Sequence, residues 1–130
     1  MKLVRVIFFL CAVSYLFYAV LFGFFAPGFF QYVNIAPPNH WGYVHFIAAT
    51  SFIFALMSFK VAKDPVRGKE LIPYVIMYKF FYTVVIFINK IIYDVPDIWV
   101  IMAVLSSIFT AILIGCYFYV KCPSHSCSKE

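Results

Sequence analysis

Apolar residues run along this chain in four blocks, each close to the about 20 residues that a helix needs to cross hydrocarbon: Leu3–Phe25, Trp41–Phe59, Leu71–Ile91 and Ile98–Val120. Polar and turn-forming residues gather between the blocks. The pattern predicts four membrane-spanning helices and one all-α domain over residues 1–130, an integral membrane four-helix bundle with a short tail at 121–130. Lys2, just before the first block, and Arg5, in its first turn, resemble the basic start of a signal peptide. The apolar run is too long for one and no small-residue cleavage pattern follows, so this block is read as a retained helix.

The connections set the topology. Lys60, Lys63, Arg67 and Lys69 lie in or beside the second loop, Lys2 and Arg5 at the amino end, and Lys121 and Lys129 in the tail. The first loop, Ala26 to His40, has no charged residue, and the third has only Lys90 beside Asp94 and Asp97. By the positive-inside rule, both termini and the second loop are expected in the cytoplasm. The second loop is read as a tight turn that makes spans two and three an antiparallel hairpin, with Pro65 pre-set for its second position and Gly68 relieving backbone strain. The third makes a hairpin of spans three and four, with Asp97 expected to cap span four. The aromatic first loop, with Phe29, Phe30 and Tyr32, is expected to lie among lipid headgroups; the other reading is a lid over a cavity between helices.

Composition agrees with this and excludes most soluble classes. The chain is 65% hydrophobic and only 12% charged, too few charges to clothe a globular core in water. The net charge of +5 sits at span ends and in one loop, which is topology and not a nucleic-acid footprint. Of the four cysteines, Cys11 and Cys116 fall inside spans and Cys122 and Cys127 in the tail, so no disulfide framework is indicated.

Placed by depth, the polar residues form a layer. Ser14 and Tyr15 fall midway along span one, Thr50 and Ser51 along span two, Lys79, Tyr82 and Thr83 along span three, and Ser106, Ser107 and Thr110 along span four. Small and hydroxyl residues at such spacings are the ordinary means of packing membrane helices, and that is the reading for the strip Ala103, Ser106, Ser107, Thr110 and Ala111. His45, on a face with Ala48, Ala49 and Phe52, is more often a hydrogen-bonding residue than a ligand. Lys79 is different. A lysine at a helix centre costs about 2.5–3.5 kcal/mol on insertion, which apolar neighbours offset at about 0.3–0.6 kcal/mol each. The basic end of the span lies about nine residues away, about 13 Å of helix, and the side chain reaches about 6 Å. Lys79 is therefore expected to face the other helices, with no acid inside any span to pair with it. Tyrosine and hydroxyl side chains, aromatic faces, or an anionic or carbonyl-bearing ligand are the partners left.

Several chemistries fail on residues they need. A four-span proton-coupled exporter and a sterol-isomerase-like bundle both require a membrane carboxylate. A thiol oxidant requires a cysteine pair at the outer face. Haem held by two histidines of one chain requires more than His40 and His45, which both sit near the outer edge, so only a haem shared between protomers or subunits survives. In the tail, Cys122, His125 and Cys127 are spaced too tightly for a standard zinc knuckle, so no metal ligands are assigned. No catalytic residue is assigned either.

The Pro37-Pro38 loop leading to His45, the turn Ala62-Lys-Asp-Pro-Val-Arg67 and the mid-span Tyr78-Lys79-Phe80 together resemble small bacterial four-span membrane proteins of the DoxX-like kind. The resemblance implies the four-helix fold and the bacterial inner membrane, and associates the chain with quinone-linked or thiol-linked systems without fixing a reaction. The leading expectation is a non-enzymatic accessory or binding protein. Its Lys79 layer, with Tyr82, Thr83, His45, Ser14, Tyr15, Ser106 and Thr110, would hold a lipophilic ligand or dock a larger membrane complex or a second copy. The alternative is a membrane subunit of a quinone-linked oxidoreductase, in which Lys79, Tyr82 and His45 orient a quinone carbonyl.

Overall fold

A computed structural model of the chain describes residues 1–121, so the cluster of Cys122, His125 and Cys127 lies outside the described residues. Within them the fold is helical: α1 (Lys2–Phe24), α2 (Ala26–Tyr32), α3 (Trp41–Lys63), a single 3-10 turn (Lys69–Leu71), α4 (Ile72–Tyr93) and α5 (Asp97–Lys121). Four of the helices are long and apolar enough to span a membrane. Their boundaries follow local chemistry. Pro27 in the first turn of α2 starts a new helix directly after α1. Helix α3 continues four residues past the apolar block, through Lys60 to Lys63. It stops at Asp64, which is held extended (φ −144°, ψ 94°) by the proline that follows. Helix α4 ends where Asp94 turns left-handed (φ 49°, ψ 52°).

The two loops near charged residues are held by those charges. Asp64 Oδ1 accepts hydrogen bonds from the amides of Val66 and Arg67, both at 3.2 Å, and the Gly68 amide donates to Asp64 O at 2.8 Å. Gly68 itself has an ordinary right-handed backbone (φ −86°), so it relieves no strain. Its role is proximity: a Cβ there would lie 2.9 Å from Val61 Cα and 3.0 Å from Asp64 O. At the α4–α5 turn Lys90 Nζ donates to Asp94 Oδ1 (2.8 Å), Val95 O (3.0 Å) and Asp97 Oδ1 (2.9 Å). The Asp97 carboxylate expected to cap α5 is thus bound to Lys90. Lys90 also holds the Asp94 carboxyl below its ordinary range.

Packing is uneven. Helices α1 and α3 are the most closely apposed pair and α4 and α5 the next, whereas α3 and α4, the expected hairpin of spans two and three, touch only sparsely because α1 occupies the buried face of α3. The α3 seam is Ala48, Ser51, Ala55 and Ser58, all buried, against Ala12 and Ala19 of α1, and a Cβ on Gly23 would lie 3.7 Å from Ala48 Cβ. Between membrane helices the driving force is van der Waals contact, and small residues let two backbones approach closely. His45 lies outside this seam. The buried face of α3 runs through Val44 and Ala48, one position away from the expected His45, Ala49 and Phe52, all three of which are exposed.

One core joins all four long helices: Phe8, Cys11 and Tyr15 of α1, Ala55 and Val61 of α3, Ile72 and Val75 of α4, and Leu113, Cys116 and Val120 of α5. A second, at the other end, is aromatic. Phe22 stacks on Trp99 (6.2 Å between centroids), Phe29 meets both edge-on, and Phe30 meets Trp41. Phe29 and Phe30 of the first loop therefore fold inward over the bundle's end, while Tyr32 stays 90% exposed. Phe29 and Phe30 pack directly on Phe22, Trp99 and Trp41, so neither reading of that loop, aromatics among headgroups or a lid over a cavity, describes these two rings. The physical reason is α2, whose helical turn directs these rings toward Phe22.

Candidate functional site

Lys79 leaves α4 one position after Tyr78 and extends its ammonium between α1 and α5. Nζ lies over the Tyr15 ring, 4.6 Å from its centroid, and 5.5 Å from the centroid of the Phe109 ring. The residue is half-buried. The expectation that Lys79 turns toward its neighbours and away from lipid tails thus agrees with its contacts. Ring faces carry negative quadrupole density and attract a cation most strongly where water is scarce. They accept no conventional hydrogen bond, however. Among the described residues no hydrogen bond or ion pair involves Lys79, whereas all three Lys90 donors reach oxygen.

Tyr15 adds a second unused donor. Its ring is 4% exposed and its hydroxyl is buried without a hydrogen-bond partner among the described residues. The ring is fixed by Tyr78 edge-on at 5.7 Å and by Phe54 at 6.0 Å, and Phe54 stacks on Tyr78 at 4.0 Å. One aromatic triad thereby locks α1, α3 and α4 around the lysine. One helical turn below Tyr15, Cys11 is fully buried, with the Ser58 hydroxyl 4.0 Å from its sulfur.

The remaining expected site residues divide sharply. Tyr82 is half-buried on the Lys79 face. Thr83 Oγ1 donates across to Ala103 O at 3.4 Å and joins α4 to α5. Ser14 donates to Leu10 O and Cys11 O, Thr110 to Ser106 O (2.8 Å) and Ser107 to Ala103 O (2.9 Å). Each of these hydroxyls is spent on its own helix, the cheapest satisfaction in hydrocarbon. Ser106 is half-buried and offers its carbonyl to Thr110. His45 is exposed on the far side of α3 and is not brought to Lys79. Sequence reasoning did not assign Phe54, Tyr78, Phe109 or Ser58 to the site, and Tyr78 entered only as the neighbour of Lys79 in a short motif. The three aromatics carried no signal in a chain where aromatics are 22% of residues. Ser58 did: it continues the seam of small residues on α3.

The site is therefore rich in donors and poor in acceptors. A half-buried ammonium lies over the ring of Tyr15, whose own phenol O–H is buried, and neither group has an oxygen to receive its N–H or O–H among the described residues. Among the described residues no three histidine, cysteine or acidic side chains group to hold a metal.

The fold and site define a class, a multi-pass integral membrane protein with a cation inside its helix bundle. No family model matches the sequence, and neither a curated protein nor a solved structure aligns with it significantly.

Proposed function

We propose that the protein is a small membrane binding protein that holds a lipophilic ligand by a hydrogen-bond-accepting head, a carbonyl or carboxylate oxygen, at Lys79 and Tyr15. One observation carries this reading: two neighbouring groups with unused donors, one cationic, in a bundle whose other intramembrane hydroxyls mostly satisfy themselves. A buried donor without an acceptor costs about 1–3 kcal/mol. A ligand oxygen would recover that cost, and its hydrocarbon part would lie against Phe54, Tyr78 and Phe109. Tyr82 and Thr83 flank the same face and would contact the ligand's body. The proposal includes a cytoplasmic position for both termini and the basic second loop, residence in a bacterial inner membrane, and kinship with DoxX-like four-span proteins. The quinone-subunit alternative keeps its carbonyl acceptor but loses His45, whose exposed position puts it away from Lys79.

Extraction into native membrane particles followed by mass spectrometry tests this directly. The native chain is expected to carry a carbonyl- or carboxylate-headed lipophilic compound near one per chain, and the Lys79→Met variant to lack it. Phospholipid alone, in the same amounts in both, would overturn the proposal.

A further inference from the structure

A groove of about 390 Å³ opens on the outside of the bundle between α1 and α3, far from the Lys79 site, and is lined by Arg5, Val6, Phe9, Phe59, Ala62 and Lys63. Its floor is apolar. Phe9 and Phe59 meet edge-on with centroids 5.8 Å apart, and Val6 and Phe9 are 54% and 52% exposed. Its mouth is cationic. Helices α1 and α3 run antiparallel, which brings Arg5 near the start of one beside Lys63 at the end of the other. Lys2 and Lys60, each about one turn away along its helix, are exposed at the same end.

Among the described residues neither Arg5 nor Lys63 forms an ion pair, and no acid is among the residues that line the groove. Asp64 follows Lys63 directly, but its carboxylate is turned into its own loop. There it accepts from the Val66 and Arg67 amides and lies 3.6 Å from Arg67 Nε. The groove thus presents two cations at headgroup depth above an aromatic and aliphatic slot continuous with the lipid-facing surface. A soluble anion would use the cations and leave the slot idle. A zwitterionic lipid would place its own cation beside Arg5 and Lys63.

We propose that this groove is a binding site for an anionic glycerophospholipid, its phosphodiester held between Arg5 and Lys63 and an acyl chain lying along Phe9 and Phe59. Both parts of the lipid then meet their chemical complement. Arg5 provides a planar fork of donors and Lys63 a point charge, the combination by which basic sites between membrane helices recognise phosphate heads.

The test uses the full chain in neutral detergent, with native mass spectrometry of retained lipid during titration with phosphatidylglycerol or with phosphatidylcholine of identical chains. The expected result is at least tenfold tighter retention of phosphatidylglycerol, reduced to near parity in R5Q/K63Q and kept in K69Q/K121Q. The latter pair removes the same charge from the same end outside the groove. R5K/K63R, which keeps both charges, is expected to bind and guards against a folding defect in the neutral pair. Glycerol 3-phosphate at millimolar concentration is expected not to displace the lipid. Equal retention of the two lipids, equal loss in the K69Q/K121Q control, or displacement by glycerol 3-phosphate would overturn the proposal.

Discussion

Replacing Lys79 with methionine removes the ammonium and leaves an unbranched side chain of similar length that can fill the same space between α1 and α5. Holding a lysine at the centre of an apolar helix costs about 2.5–3.5 kcal/mol. The contacts with Tyr15 and Phe109, at 4.6 and 5.5 Å, return about 1 kcal/mol each. The balance is a net cost of about 1 kcal/mol, so the ligand-free Lys79→Met protein is expected to be more stable by that amount, about a fivefold change in the folded-to-unfolded ratio. Reversible unfolding in mixed micelles titrated with dodecyl sulfate measures this. In the unfolded state the helices separate and the ammonium reaches water, so the desolvation cost enters the measured difference. Trp99, stacked on Phe22, and Trp41, against Phe30, are natural fluorescence probes for the loss of tertiary contact. A variant destabilised by about 2 kcal/mol or more would refute the reasoning, because the lysine would then be a structural keystone and not a group kept at a cost to stability.

Other expected outcomes follow from particular contacts. Tyr15→Phe deletes the buried hydroxyl without its ring, and a gain of about 1 kcal/mol is expected in the same assay, since an unsatisfied buried donor costs about 1–3 kcal/mol. Gly68→Ala forces a Cβ to within 2.9 Å of Val61 Cα and is expected to destabilise by about 1–3 kcal/mol. Gly115→Ala, with open space around the new atom, is expected to be neutral or stabilising by up to about 1 kcal/mol. Asp94 has its carboxyl held below the ordinary range by Lys90, so its contribution is present above about pH 4 and lost as pH falls through the lowered value. Unfolding measured between pH 6 and pH 3 is expected to show an acid-side loss in the native chain that shrinks in Asp94→Asn.

The helices and their order were legible because hydropathy blocks of span length have few other solutions in a chain this apolar. Their ends were less so: hydropathy falls at Phe59, yet α3 continues to Lys63, since a helix is stopped by Pro65 and not by lysines. The inward direction of Lys79 was legible from the reach of its side chain. Its partners were only half legible. Tyr15 stood out on the polar face of span one, but Phe109 and Phe54 look like every other lipid-facing phenylalanine until the helices are packed. The expected polar layer was read too generously, because Ser14, Ser107 and Thr110 can satisfy themselves within their own turn and depth says nothing of that. The seam Ala48, Ser51, Ala55 and Ser58, which sets the closest helix pair, was readable at alternating spacings of three and four. His45 on the neighbouring face of span two drew attention from it.

In the proposed site Lys79 and Tyr15 donate to an oxygen of the ligand. Equilibrium binding of two probes of identical chain, one ending in a carboxylate and one in a methyl group, to the native protein and to Lys79→Met measures that most directly. A hydrogen bond to a charged group contributes about 1.5–3 kcal/mol. The carboxylate probe is therefore expected to bind the native chain about 10- to 150-fold more tightly than the variant, with the headless probe unchanged. Equal binding of the carboxylate probe to both proteins would contradict the account.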